Sequence, residues 1–173
     1  MKVILLSMAA SVTSPSLRNI AWMLAIAFHH THQTNRRSMI TKEFITAGRA
    51  VFTVENPVGE HYTFQVAKKE SPGRDPIYFA YLLTGPDNTS DYTYLGVFDV
   101  RSGDVRLTAK SRMNEESTPV RVIRWVSSIV WRGRSLPEGY AARHEGRCGR
   151  CGRVLTTPES ISLGLGPHCA NAI

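Results

Sequence analysis

A chain of 173 residues, 42% of them hydrophobic, has material for one cored domain, or one domain plus an appendage. Its net charge of +7 favours acidic partners. Three cysteines are too few for a disulfide scaffold, and no apolar run approaches the roughly 20 residues that a membrane-spanning helix requires.

Residues 1–38 carry Lys2, Arg18, Arg36 and Arg37 and no acid. Two short apolar runs, Val3–Val12 and Ile20–Phe28, precede His29, His30 and His32. The segment reads as an extension, disordered or upstream of a natural start at Met39. Two other readings stay open: a weak secretory signal, suggested by Lys2, the apolar run and Ala9-Ala10-Ser11, and a docked helix. A signal would deliver the cysteines to an oxidising compartment, against the metal reading below, so a cytoplasmic protein is expected.

Met39-Ile40-Thr41-Lys42 opens a segment of ordinary globular character, and from Phe44 the pattern is strand-like. Ala50–Val54 is apolar and β-branched, and Glu55–Glu60 supplies turn residues. His61–Val66 alternates, placing Tyr62, Phe64 and Val66 on one face. Residues 67–76 read as a polar loop, Ile77–Leu83 as a third strand, and Gly85-Pro86-Asp87-Asn88 as a turn. Tyr92–Phe98 and Val105–Thr108 complete five strands. A helix then runs from Thr118, as cap, and Pro119, at its first position, to about Trp131. Val122, Val126, Ile129 and Val130 form its apolar stripe, with Ile123 and Trp125 at its margins, while Arg121, Arg124, Ser128 and Arg132 fall opposite. Residues 39–139 are therefore expected to be an α+β domain: a small antiparallel β-sheet packed with one amphipathic helix.

The remainder, 140–173, holds every cysteine. Cys148-Gly149-Arg150-Cys151 is closed eighteen residues later by Cys169, behind a Pro167 that can start a helical turn. A Cys-x2-Cys turn aims two sulfurs at one point, and a third from a short helix converges on it. That is the donor set of tetrahedral zinc, with bonds of roughly 2.3 Å. The expectation is a C-terminal zinc knuckle, treble-clef-like or ribbon-like, with Zn2+ held by Cys148, Cys151, Cys169 and His144. His168 is the other candidate for the fourth position, disfavoured because neighbours on a helix point about 100° apart. Water or another chain is a third possibility. A dithiol redox reading is weaker, since no strand-helix-strand alternation precedes the motif.

The approach to the knuckle is basic. Residues 121–153 hold eight arginines against Glu138 and Glu145, and arginine's planar fork suits phosphate. Arg121, Arg124, Arg132, Arg147, Arg150 and Arg153 are the expected nucleic-acid contacts. The same surface would serve a second function class, a protein-binding inhibitor of a host defence or host enzyme that engages an acidic protein surface. An enzyme is disfavoured: three Cys and one His close a zinc site, and the chain has no nucleophile elbow, His-Glu-x-x-His or phosphate loop. A zinc deaminase would need His-x-Glu and Pro-Cys-x-x-Cys, whereas Glu145 directly follows His144. Asp87, Asp91, Asp99 and Asp104 fall on turns, where Asp is common for backbone reasons.

Cys148-Gly-Arg-Cys-Gly-Arg-x-Leu-Thr-x-Pro-x-Ser-Ile161, followed by Gly164-x-Gly-Pro-x-Cys169, resembles the C-terminal signature of an uncharacterised zinc-binding family frequent in phages and actinobacteria. The phrase Leu83–Asn88, with Asp91-Tyr92 and Leu95-Gly96, is similar to that family's upstream half. The resemblance spans about residues 50–170. It implies a zinc site and a mobile-element origin, and no activity.

Overall fold

The computed structural model describes residues 40–172. The reading of residues 1–38 as an extension lies outside them. Helix α1 (Lys42–Ile45) is capped by Thr41, whose hydroxyl accepts a hydrogen bond from the Phe44 N–H. Strands β1 (Arg49–Glu55), β2 (His61–Ser71), β3 (Arg74–Leu83), β4 (Tyr92–Asp99) and β5 (Asp104–Arg106) follow, then α2 (Thr118–Trp131) and β6 (Ala141–His144). Two short helices, α3 (Pro158–Leu163) and α4 (Pro167–Ala170), complete the chain.

All six strands form one antiparallel sheet in the order β5-β4-β3-β2-β1-β6. Ala50, Phe52 and Val54 of β1 alternate inward opposite Val66, Phe64 and Tyr62 of β2. Ala80 and Leu82 of β3 and Phe98 of β4 continue that face into the core. Val120, Ile123 and Val126 of α2 belong to the same buried cluster, as do Phe44 and Ile45 of α1.

Four expectations require correction. Residues 67–76 are not a loop: β2 and β3 continue through them as a hairpin closed by Pro72-Gly73, with Gly73 at φ 70. Pro followed by a positive-φ Gly is the central pair of a type II turn. The segment looks polar because its side chains from Lys68 to Arg74 stand in solvent. The buried seam of α2 is Val120, Ile123, Val126 and Ser127, whereas Val122, Ile129 and Val130 are half-buried. The N-cap position of α2 is Ser117, and its side chain makes no cap hydrogen bond. Finally, β6, unforeseen, pairs with β1 from Phe52↔His144 to Glu55↔Ala141, so the start of the cysteine segment is a strand of the sheet.

Among the described residues no helix is long and apolar enough to cross a membrane.

Candidate metal centre and basic groove

Immediately after β6 the chain folds into a small ribbon. Arg147 and Val154 form an isolated antiparallel bridge, Leu155 N–H donates to the Gly146 carbonyl at 2.8 Å, and Cys148 N–H donates to the Arg153 carbonyl at 2.8 Å. The turn between them holds Cys148 and Cys151. Helix α3 begins at Thr157-Pro158, where the Thr157 hydroxyl accepts from Ser160 N–H, and ends at Gly164 in the left-handed region. The chain then reverses into α4, which carries Cys169.

The three sulfurs lie within 4.8 Å of one another. Bonds of roughly 2.3 Å to one tetrahedral ion would set sulfurs about 3.8 Å apart, a small contraction. Cys148 is buried, Cys169 half-buried and Cys151 exposed. Burial pushes the Cys148 thiol up, but N–H groups of Cys151, Gly166 and Arg150 and the Cys151 thiol outweigh it and bring the group down to about 7. Cys169 is driven up to about 11 by burial, by hydrogen bonds to Cys148 and Cys151, and by their charge. Amide donors aimed at one sulfur, and mutual repulsion among three, are the surroundings of a thiolate cluster completed by a cation. The residues present fit a metal ion.

His144 stands outside the cluster of three cysteines. Its Nε2–H donates to the Ile161 carbonyl at 2.7 Å, and its Nδ1 accepts from Gly146 N–H at 3.0 Å. Both ring nitrogens are committed, and the ring packs on Phe44 at 5.0 Å between centroids. The histidine straps β6 to α3 and to the entry of the knuckle. His168, on α4, also stands outside the cysteine cluster.

Phe44 joins the knuckle to the sheet. A Cβ on Gly149 would stand 2.7 Å from its ring and one on Gly164 2.5 Å, so the two glycines let the knuckle backbone lie directly on the aromatic face. Arg49 N–H donates to the Gly149 carbonyl at 2.6 Å, a second tie between β1 and the cysteine turn.

The arginines expected to act together are dispersed. Arg147, Arg150 and Arg153 are exposed on the knuckle. Arg121 lines a cleft of about 400 Å³ with Trp125, Tyr140 and Glu60, and Arg132 is the exposed C-cap of α2. Arg124 stands apart: its guanidinium donates to the Val105 carbonyl and pairs with Glu115 and Asp104. Its hydrogen bond to the Glu115 carboxylate, with the nearby acid charges, raises its pKa. It latches α2 to β5. The acids come from other elements, which is why a count along the helix missed them.

A different basic cluster is present. Arg49 of β1, Lys68 of β2 and Arg150 of the knuckle line one groove of about 690 Å³, with Glu70, Tyr78 and Ala172. Glu70 pairs with Lys68 at 2.6 Å, and Arg150 donates to the Ala172 carbonyl at 2.8 Å. Arg49 and Lys68 lie in stretches of ordinary charge balance, and only the pairing Arg49↔Ala67 brings them beside the knuckle.

The turn aspartates have local tasks. Asp87 accepts from Thr89 N–H, the Thr89 hydroxyl and Ser90 N–H, Asp91 accepts from Asp87 N–H, and Asp99 accepts from Arg101 N–H and the Ser102 hydroxyl.

Residues 140–173 match the model of a family of unknown function, DUF6011. That match spans β6, the ribbon, α3 and α4. Neither a curated protein nor a solved structure matches the chain.

Proposed function

We propose that the chain is a zinc-stabilised accessory protein, of phage or mobile-element origin and acting in the cytoplasm, that binds nucleic acid. One observation carries the reading: Arg49, Lys68 and Arg150 converge from two strands and the cysteine turn on a single groove that holds one acid, Glu70. Cations gathered on a built surface suit a phosphate chain, and guanidinium forks can each take two phosphate oxygens. Exposed Arg147 and Arg153 extend the positive surface along the knuckle. Zn2+ on Cys148, Cys151 and Cys169 is the structural element that holds Arg150 at the groove. Its fourth position belongs to water or to a ligand from outside the cluster, since His144 is occupied elsewhere.

The test starts from untagged protein, with metal measured by mass spectrometry and the 260/280 nm absorbance ratio recorded. One zinc per chain and co-purified nucleic acid are expected. Binding should weaken steeply with salt, because each neutralised phosphate releases counterions. Arg150→Gln should lower the salt slope by about 0.9 for duplex DNA. A zinc-loaded protein that binds no nucleic acid at low salt sinks the reading. A stoichiometric host protein surviving nuclease treatment would replace it with the inhibitor function.

A further inference from the structure

One face of the sheet carries the core; its opposite face holds four aromatic rings. The register sets Tyr81 opposite Tyr94 and Leu83 opposite Tyr92, with Phe79 two residues before Tyr81 on the same side. Ring centroids stand 6.1 Å apart for Phe79–Tyr94 and 5.8 Å for Tyr81–Tyr94. All four rings are half-buried, unlike the fully buried phenylalanines of the other face. Helices α1 and α2 place their buried apolar residues in the core on that other side.

The rim of this aromatic face is positive. Arg49 shares its side through Ala67 and Phe79, Lys69 lies opposite Ile77, and Arg106 lies opposite Val97. All three are exposed, and none has an ion-pair partner among the described residues. The acids in register are Glu55, which pairs with Arg143 at 2.9 Å, Asp99, whose carboxylate is taken up by its own turn, and Asp104 opposite Asp99, which pairs with Arg124 at 3.2 Å. Thr53, Thr63 and Gln65 add hydroxyl and amide groups beside the rings. A protein-docking face would have a dry apolar centre. Stacked rings among hydrogen-bonding groups, rimmed by cations, instead match unpaired bases on an anionic backbone.

We propose that the outer face of the sheet is a stacking platform for single-stranded nucleic acid, with bases on Phe79, Tyr81 and Tyr94 and phosphates on Arg49, Lys69 and Arg106. The inference rests on the nucleic-acid reading above and narrows it to unpaired strands. Arg49 is shared between the two readings, since it stands at this rim by register and also lines the basic groove.

The test uses the full zinc-loaded chain and a fluorescein-labelled 12-nucleotide DNA, single-stranded or annealed, followed by anisotropy at low salt. The single strand is expected to bind at least tenfold tighter than the duplex. Tyr81→Leu and Tyr94→Leu should each weaken it about tenfold, the scale of one lost stack, with duplex binding unchanged. Arg150→Gln, which leaves the platform intact, should weaken both. Equal affinity for the two forms, or silent tyrosine variants with unchanged melting curves, overturns the platform. The groove reading survives that result if Arg150→Gln still weakens binding, and both fall if the wild-type chain binds neither form. Should the variants unfold, photo-crosslinking of wild-type protein to a bromodeoxyuridine strand decides: adducts on Phe79, Tyr81 or Tyr94 support the platform, and adducts confined to Trp125 and Tyr140 overturn it.

Discussion

Asp87 shows how one side chain can hold a loop. The Thr89 hydroxyl, Thr89 N–H and Ser90 hydroxyl and N–H stabilise its carboxylate and bring it down from the ordinary 3.8 to about 2. A depressed acid contributes stability that is fully present above the unfolded value and is lost as pH falls through the folded one. The 85–91 loop should therefore stay ordered at pH 4 and loosen between about 4 and 2. Carboxyl-carbon NMR should place the Asp87 midpoint near 2, and Thr89→Val should move it upward. His144 and His168 make a second comparison at this scale. His144→Ala should keep the metal but lower the melting temperature, because the Ile161 carbonyl and Gly146 N–H lose their partner. An unsatisfied buried group costs roughly 1–3 kcal/mol. His168→Ala should change neither metal content nor melting. Metal content falling only in the His144 variant would restore that residue as a ligand. Spacing alone could not decide between these roles: it shows which residues can reach an ion, and a histidine in reach is equally able to hydrogen-bond backbone.

Among elements, the short helix α1 has an effect out of proportion to its length. Its Phe44 belongs to the main core while its ring carries the backbone of Gly149 and Gly164. Phe44→Ala should cost about 3–5 kcal/mol, the usual penalty for emptying a buried aromatic site, and should raise amide exchange across the knuckle. Gly149→Ala attacks the same contact from the other side by overpacking, at about 1–3 kcal/mol. A melting curve for Gly149→Ala that matches wild type would show that the ring can yield. Most strands were legible because Phe52, Phe64 and Phe98 recur in alternating, β-branched runs bounded by Gly, Pro and Asn. The exposed half of the β2–β3 hairpin was not, because side chains in water carry no apolar period. Strand β6 has four residues, including Arg143 and His144, and only its partner β1 makes it a strand. Thr157-Pro158-Glu159 does carry the start signal of α3, but six residues are too few to show a helical period.

At the scale of the whole molecule, two stabilising systems meet: an apolar core under the sheet and a cysteine cluster with Leu155 and Leu165 beneath it. Binding energy of a structural metal is folding energy. Chelation or Cys151→Ser should release amide protection from about Gly146 to Ala172 while β1–β5 stay protected, read by hydrogen exchange. Equal protection before and after complete metal removal would show that hydrogen bonds alone hold the knuckle. The three cysteines could be recognised from their spacing alone. The groove of Arg49, Lys68 and Arg150 could not, because its members are far apart in the chain and only strand pairing joins them.

The place of β6 also sets an order of assembly. During synthesis the partner for the other edge of β1, residues 141–144, leaves the ribosome only after the other five strands have been made. A nascent or shortened chain ending before Ala141 presents an open edge of backbone N–H and C=O groups at Phe52–Glu55, the kind of edge that recruits strands from other chains. The C-terminal segment thus does more than carry sulfur ligands: its arrival covers the open edge of β1, and only after it has emerged are all three cysteines in place to receive an ion.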